Sequence, residues 1–271
     1  MRIIVPVKQV PDMNQVKFST DKGVVDRSSA DTEINPFDLY ALEAAVRIKE
    51  ALGGTTVTAV SMGPRRAETT LRDALARGAD KGLLLTDKAF AGADTLATSY
   101  TLAGAIRKLG DFDLVICGEK TVDGDTGQVG PELAEHLNIP HVAYVSSIHQ
   151  TGEKLVVVCD MESESVTVEC PFPVLITVSK DVNVPRLPGF RDKATARKAP
   201  VPVWGAGDLA DVADADRFGV KGSPTRVHRI SVPSEAGRKG KIFRGAGDGA
   251  IDEIASVILE NTARLSQGDT G

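Results

Sequence analysis

Short β-branched runs alternate with helix-length segments through the first 140 residues, and that alternation points to a parallel, doubly wound α/β sheet. Residues 3–7 (IIVPV) have the near-continuous apolar character of a strand covered on both faces. Residues 57–61, 81–85 and 114–117 repeat it. Helices are predicted between and after them, starting at Asn35-Pro36-Phe37-Asp38 and spanning 64–77, 94–109 and 126–137. They close on Gly53, Gly78, Gly110 and Asn138, residue types suited to a left-handed C-cap. The first helix carries a full set of start signals. Asn35 is expected as N-cap, Pro36 at the first helical position and Asp38 as the capping-box acid, with Ile34 and Leu39 at staple spacing.

From residue 142 the pattern changes. KLVVVCDM, SVTVEC and VLITVS read as three short strands of an antiparallel extension, over about 142–180. A loop rich in Pro, Gly, Lys and Arg follows at 184–202. The nucleotide-binding α/β domain is therefore expected over 1–200. Residues 203–271 are expected as a C-terminal arm, ending in a helix at 251–265, with too few apolar residues for a core of its own. No stretch approaches the roughly 20 apolar residues of a transmembrane helix. The net charge of −5 argues against a broad nucleic-acid-binding face. Cys117, Cys159 and Cys170 lack metal or disulfide spacing and read as reduced thiols of a cytoplasmic protein.

The chemistry concentrates in loops at strand ends. VDGDTGQVGPELAEHLNIP (122–140) follows the strand LVICG, and Gly124, Gly127 and Gly130 leave backbone uncovered where a phosphate or ribose can approach a helix start. Further ends are Pro6-Val7-Lys8, Asn35 to Asp38, Ser61-Met62-Gly63-Pro64 and Gly92-Ala93-Asp94-Thr95, with Thr98 one turn beyond Thr95. In a doubly wound sheet these ends converge on one crevice, and together they point to an adenine-nucleotide pocket. Asp94-Thr95, taken singly, reads as simple N-capping in preference to a ligand site. GAGDGA (245–250) matches a dinucleotide fingerprint, but the chain ends before a second strand can follow, so it is rejected. His136, His141, His149 and His228 show no metal-ligand spacing, and no nucleophile elbow, Walker lysine or proton-transfer pair stands out. No catalytic residue is expected. In the basic loop Lys180, Arg186, Arg191, Lys193, Arg197 and Lys198 surround Phe190, offset by Asp181 and Asp192. That loop reads as a solvated surface or as one that meets phosphate or a carboxylate-rich partner, with Phe190 an anchor for protein contact.

The segments VPVKQVPD, NPFDLYALEAAVRIKE, VSMGP, LARGAD, FAGADTLATS and VDGDTGQVGPELAEHLNIP, in this order and spacing, resemble the β subunit of electron transfer flavoprotein over nearly the whole chain. The resemblance implies a heterodimer with an α subunit that carries the electron-transferring FAD. It implies a β subunit that binds AMP or a second FAD. The matching contact positions are Pro6, Asn35 to Asp38, Met62 and the run 118–129, which includes Gly118, Glu119, Val122, Asp123, Gly124, Asp125, Thr126, Gly127, Gln128 and Val129. The loop around Phe190 and Arg191 is similar to the family's docking loop for dehydrogenases, and the tail to the arm that wraps the α subunit. FAGADTLATSYTLAGAI resembles the electron-bifurcating branch. That branch implies a β-bound FAD, NADH as donor, and two acceptors. Electrons reach an acyl-CoA dehydrogenase or enoyl-CoA reductase through the α-subunit FAD, and ferredoxin or flavodoxin at low potential. Arg186, Arg191 or Arg197 can then supply positive charge near the ring. The alternatives are structural AMP in a non-bifurcating carrier, a stand-alone nucleotide-binding regulator, and a dehydrogenase acting alone.

Overall fold

The computed structural model describes residues 1–12, 17–19, 24–26, 31–151, 154–226, 228 and 248–266. Two compact units divide the chain, Met1–Ile230 and Ser231–Gly271. In chain order the strands are β1 (Arg2–Pro6), β2 (Gln9–Pro11), β3 (Lys17–Ser19), β4 (Val24–Asp26), β5 (Thr32–Ile34), β6 (Thr56–Met62), β7 (Lys81–Leu85), β8 (Leu114–Gly118), β9 (His141–Thr151), β10 (Lys154–Met161), β11 (Glu164–Pro171), β12 (Val174–Val178) and β13 (Val203–Trp204). The helices are α1 (Pro36–Leu52), α2 (Glu68–Ala76), α3 (Thr95–Leu109), α4 (Val129–Leu137), α5 (Phe190–Ala196), the single turn α6 (Gly219–Gly222) and α7 (Asp248–Ser266).

Nine strands form one sheet in the order β11-β10-β9-β12-β8-β1-β6-β7-β13. From β9 to β13 every neighbouring pair is parallel, and β10 and β11 add an antiparallel hairpin at one edge. β1 is central, with Ile3 opposite Val57 on β6 and Leu114 on β8. The chain winds outward from β1 through β6 to β7, then returns to place β8 on the other side of β1. At that reversal the two connections leave on opposite faces and open a crevice at the carboxyl ends of β1 and β8.

Successive strand residues point to opposite faces, so each apolar run feeds two cores. On one face Ile3, Val5, Val57, Leu114 and Ile116 pack against Leu42 and Val46 of α1 and Leu71 of α2. On the other, Ile4, Val60, Leu83, Leu85 and Val115 pack against Leu102 and Ile106 of α3 and Leu133 of α4. Helix ends follow the sequence signals at Asn138, which is left-handed (φ 57°), and at Gly53 (φ 61°) and Gly110 (φ 91°), whose backbones take positive φ.

Four expectations are corrected. VLITVS does not join the antiparallel extension: as β12 it inserts between β8 and β9, parallel to both. All five of its residues are buried, the mark of a strand covered on two faces rather than of a hairpin arm. β9 is an additional strand, masked in the sequence by its His and Ser residues. α4 begins at Val129 instead of 126, because Asp125 (φ 53°) and Gly127 (φ 64°) turn the chain through left-handed conformations first. The arm does not start at 203. β13 pairs with β7, and Leu209 and Phe218 are buried in the α3 face of the core, so a few well-placed apolar residues fasten this Gly- and Asp-rich stretch. In the second unit α7 exposes Ile251, Ile254 and Ile258. Gly245 to Gly247 of the rejected fingerprint lie outside the described residues.

Gly130, in the first turn of α4, leaves no room for a Cβ, which would collide with Thr177 Cγ2 of β12. Gly130→Ala is expected to cost about 1–3 kcal/mol in urea unfolding. Adding Thr177→Ser, which removes that methyl, should recover most of the loss, and a simple sum of the two single effects would refute the clash.

Candidate functional site

β1, β5, α1 and the loop after β8 meet at two buried polar residues. Asn35 is fully buried; its side-chain amide donates to Asp38 Oδ1 (3.0 Å) and to the Lys120 carbonyl (2.9 Å), and its Oδ1 accepts from the Val122 N–H (3.1 Å). Asp38 Oδ2 accepts from the Lys8 N–H (2.7 Å). The expected capping roles are therefore not taken: the Asn35 side chain caps no helical N–H, and Asp38 does not reach back to the Asn35 N–H, which donates to the Lys8 carbonyl (2.9 Å). Once buried, both side chains need partners, and those partners come from three segments that the sheet brings together. Gly118 is obligatory beside them, since a Cβ there would stand 2.6 Å from Asp38 Oδ1 and from the Phe37 backbone.

Ion pairs brace the loop above. Lys8 Nζ lies 2.7 Å from Asp123, whose side chain is 12% exposed. Lys120 Nζ lies 2.9 Å from Asp125 and 5.6 Å from the Phe37 ring centroid. Burial pushes the Asp38 carboxyl up to about 7, even though the Lys8 N–H, the Asn35 amide, the Lys8 charge and the Gly118 N–H all favour its ionised form.

A cavity of about 760 Å³ opens over this base. Pro6, Val7, Lys8, Asp38, Met62, Gly63, Gly118, Glu119, Gly124, Thr126, Gly127, Gln128 and Val129 line it at the ends of β1, β6 and β8. Asp94, Thr95 and Thr98 line it from α3. Asn35, Pro36, Phe37, Ser61, Val122, Asp123 and Asp125 do not belong to the lining. Asn35, Phe37 and the three loop residues support it from behind, Pro36 opens α1, and Ser61 is buried in β6 with no partner for its hydroxyl among the described residues. Asp94 is the N-cap of α3: Oδ1 accepts from the Ala97 N–H (3.0 Å), and Oδ2 from the N–H and hydroxyl of Thr225 (3.0 and 2.8 Å). Burial works to raise its pKa, and those donors outweigh it and hold it below the ordinary value.

Sequence reasoning did not pick out Thr86, Asp87 and Lys88 between β7 and α3, nor Val60, Leu102 and Cys117 in the floor and wall; Phe90 and Ala91 belong to the FAGADTLATS segment of the resemblance, and Gly130, singled out in the Gly-rich loop, lines the cavity. TDKA reads as an ordinary connection. Its one signal is Asp87, which caps a short 3₁₀ turn by accepting from the Ala89 N–H (3.0 Å).

The description "Electron transfer flavoprotein domain" matches residues 22–209. The chain is 46% identical over 259 residues to the electron transfer flavoprotein subunit beta of Thermoanaerobacterium thermosaccharolyticum, covering 95% of this chain and 98% of the relative. The chain belongs to the electron transfer flavoprotein family, among its β subunits. The Clostridium acetobutylicum subunit beta is 45% identical, with 96% of each chain covered. A protein of Acetobacterium woodii named caffeyl-CoA reductase-Etf complex subunit CarD is 40% identical over 260 residues, covering 96% of this chain and 97% of the relative.

In this electron transfer flavoprotein subunit the basic loop is not loose. Asn183 Nδ2 donates to the Tyr40 carbonyl (2.9 Å), and Arg47 to the Val184 carbonyl (3.2 Å). Arg186 binds Glu43 (2.7 Å) and Glu50 (2.6 Å) of α1, which hold its guanidinium charged, and Arg77 of α2 donates to the Arg186 carbonyl (2.6 Å). Arg72 Nη1 donates to the carbonyls of Ala196, Arg197 and Ala199 at the end of α5 (2.9, 2.8 and 3.3 Å). Phe190 starts α5 at 89% exposure with Arg191 beside it, and Leu187 is 87% exposed. Arg186, Arg191 and Arg197 do not line the cavity. No helix among the described residues is long and apolar enough to cross a membrane.

The cavity suits a nucleotide chemically. Its floor of Val7, Val60, Met62, Leu102 and Cys117 is apolar, as an aromatic ring system requires, while Lys8, Thr95, Thr98 and Gln128 add polar groups. A folded-state value near 7 against 3.8 means that the folded protein keeps the Asp38 proton where the unfolded chain has released it. Stability from this group is present at low pH and is lost as pH rises from about 4 to about 7. Asp38→Asn should remove that component, seen as a flatter dependence of Tm on pH than in the wild type; identical slopes would contradict it.

Proposed function

We propose that this subunit binds FAD, accepts electrons from NADH and divides them between two routes. One runs through the α-subunit FAD to an acyl-CoA dehydrogenase or enoyl-CoA reductase, the other to ferredoxin or flavodoxin. The supporting observation is the extent of the cavity. It runs from the β1–β8 crevice to the β7–α3 connection and lies in the upper part of the ~300–1,000 Å³ range of ligand pockets. A mononucleotide has no group to fill the second half.

Bound FAD would supply the redox chemistry. The protein's own part is positional. Asp38, Asn35 and the Lys8–Asp123 pair fix the loop against which the adenosine half would lie. The apolar floor excludes water from the ring, and Thr95 and Thr98 present hydroxyls at the start of α3. The name of the Acetobacterium woodii relative places that protein in a reductase complex, which favours the reductase class of partner here. The tethered loop with Phe190 and Arg191 is the proposed docking surface, and α7 the part of the arm that packs on the α subunit.

Acid release of nucleotides from the co-expressed heterodimer is expected to give two FAD and no AMP. One FAD with one AMP would overturn the reading and make the subunit a nucleotide-stabilised scaffold of a one-flavin carrier.

A further inference from the structure

The cations around the cavity are not equivalent. Lys8 is paired with Asp123 and Lys120 with Asp125, so neither offers a full charge to a ligand. Lys88 also lines the cavity, and among the described residues its ammonium has no hydrogen bond or ion pair. The neighbouring Asp87 forms no ion pair with it. Its carboxylate accepts from the N–H groups of Ala89 and Ala206 (3.0 Å each), which hold its pKa below the ordinary value. The capped turn that fixes Asp87 also fixes the Lys88 backbone.

Position gives this charge its meaning. Lys88 follows β7, which lies two strands from β1 and three from β8. At ~4.8 Å per strand, that is about 10–14 Å across the sheet from the crevice where adenosine would sit. Lys88 is itself exposed, and what sets it apart from other surface lysines is that it stands in the wall of the cavity half that a mononucleotide leaves empty.

We infer that Lys88 is a ligand-specificity residue whose ammonium meets the electron-rich part of a dinucleotide lying beyond its AMP half. That part is either the second phosphate or the pyrimidine edge of the flavin. The inference rests on the nucleotide reading of the cavity. The residue touches ligand and takes no part in proton transfer.

Titration of AMP, ADP and FAD into the heterodimer stripped of its β-site nucleotide tests it. Lys88→Gln should weaken FAD roughly tenfold, as expected for one charge-assisted contact, while AMP stays within about twofold. Lys88→Arg should restore FAD binding, and the difference should shrink at high salt. If ADP weakens together with FAD, the contact is to the second phosphate; if FAD alone weakens, it is to the flavin. Unchanged FAD affinity, or an equal loss for AMP, would refute the role of Lys88 while leaving the pocket intact. Wild-type protein that binds none of the three would remove the nucleotide reading and the Lys88 assignment with it.

Discussion

A carboxyl group placed under a cavity must draw its donors from nearby backbone, and Asp38 draws them from the segment after β1 and from the end of β8. Asn35 completes the arrangement by joining Asp38 to the loop at Lys120 and Val122. Each of these groups satisfies another, so removing one strands the rest in a site where an unpaired polar atom costs roughly 1–3 kcal/mol. The crevice of a doubly wound sheet exists for topological reasons alone. Its particular shape in this subunit depends on that small polar cluster, because the Gly-rich loop has few apolar residues to anchor it otherwise.

α1 connects this cluster with the basic loop. Its first turn carries Asp38, and the following turns carry the Tyr40 carbonyl, Glu43, Arg47 and Glu50, all partners of the segment from Asn183 to Arg186. Glu43 is buried, and although burial works to raise its pKa, the hydrogen bonds from Arg186 and Arg47 outweigh it and keep the carboxylate ionised. One helix thus serves as floor support for the cavity and as anchor for the exposed apolar edge at Leu187 and Phe190.

Much of this was legible in the chain itself, for reasons that differ by element. The alternation of apolar runs with glycine-closed helices fixes β1, β6, β7 and β8, because only burial on two faces explains such runs. The strand-end loops could be gathered into one crevice because topology, not local propensity, brings them together. The place of β12 escapes a local reading because it depends on a long-range parallel pairing with β8. Asn35 and Asp38 carry a capping signature, yet tertiary partners claim their side chains. Lys88 carries no signal as a site residue in the sequence, since an unpaired cation is recognised only once the side chains around it are placed.

The way Arg72 holds the end of α5 has a consequence for the medium in which the subunit works. Its guanidinium binds three neutral carbonyl oxygens, contacts of short range that mobile ions do not screen as they do a surface ion pair. The end of α5 is thereby held by contacts that salt screens little, while the exposed Arg186–Glu50 pair at the start of the loop remains subject to it. Rising salt would then loosen the segment at Arg186 before it loosens the turn that follows α5.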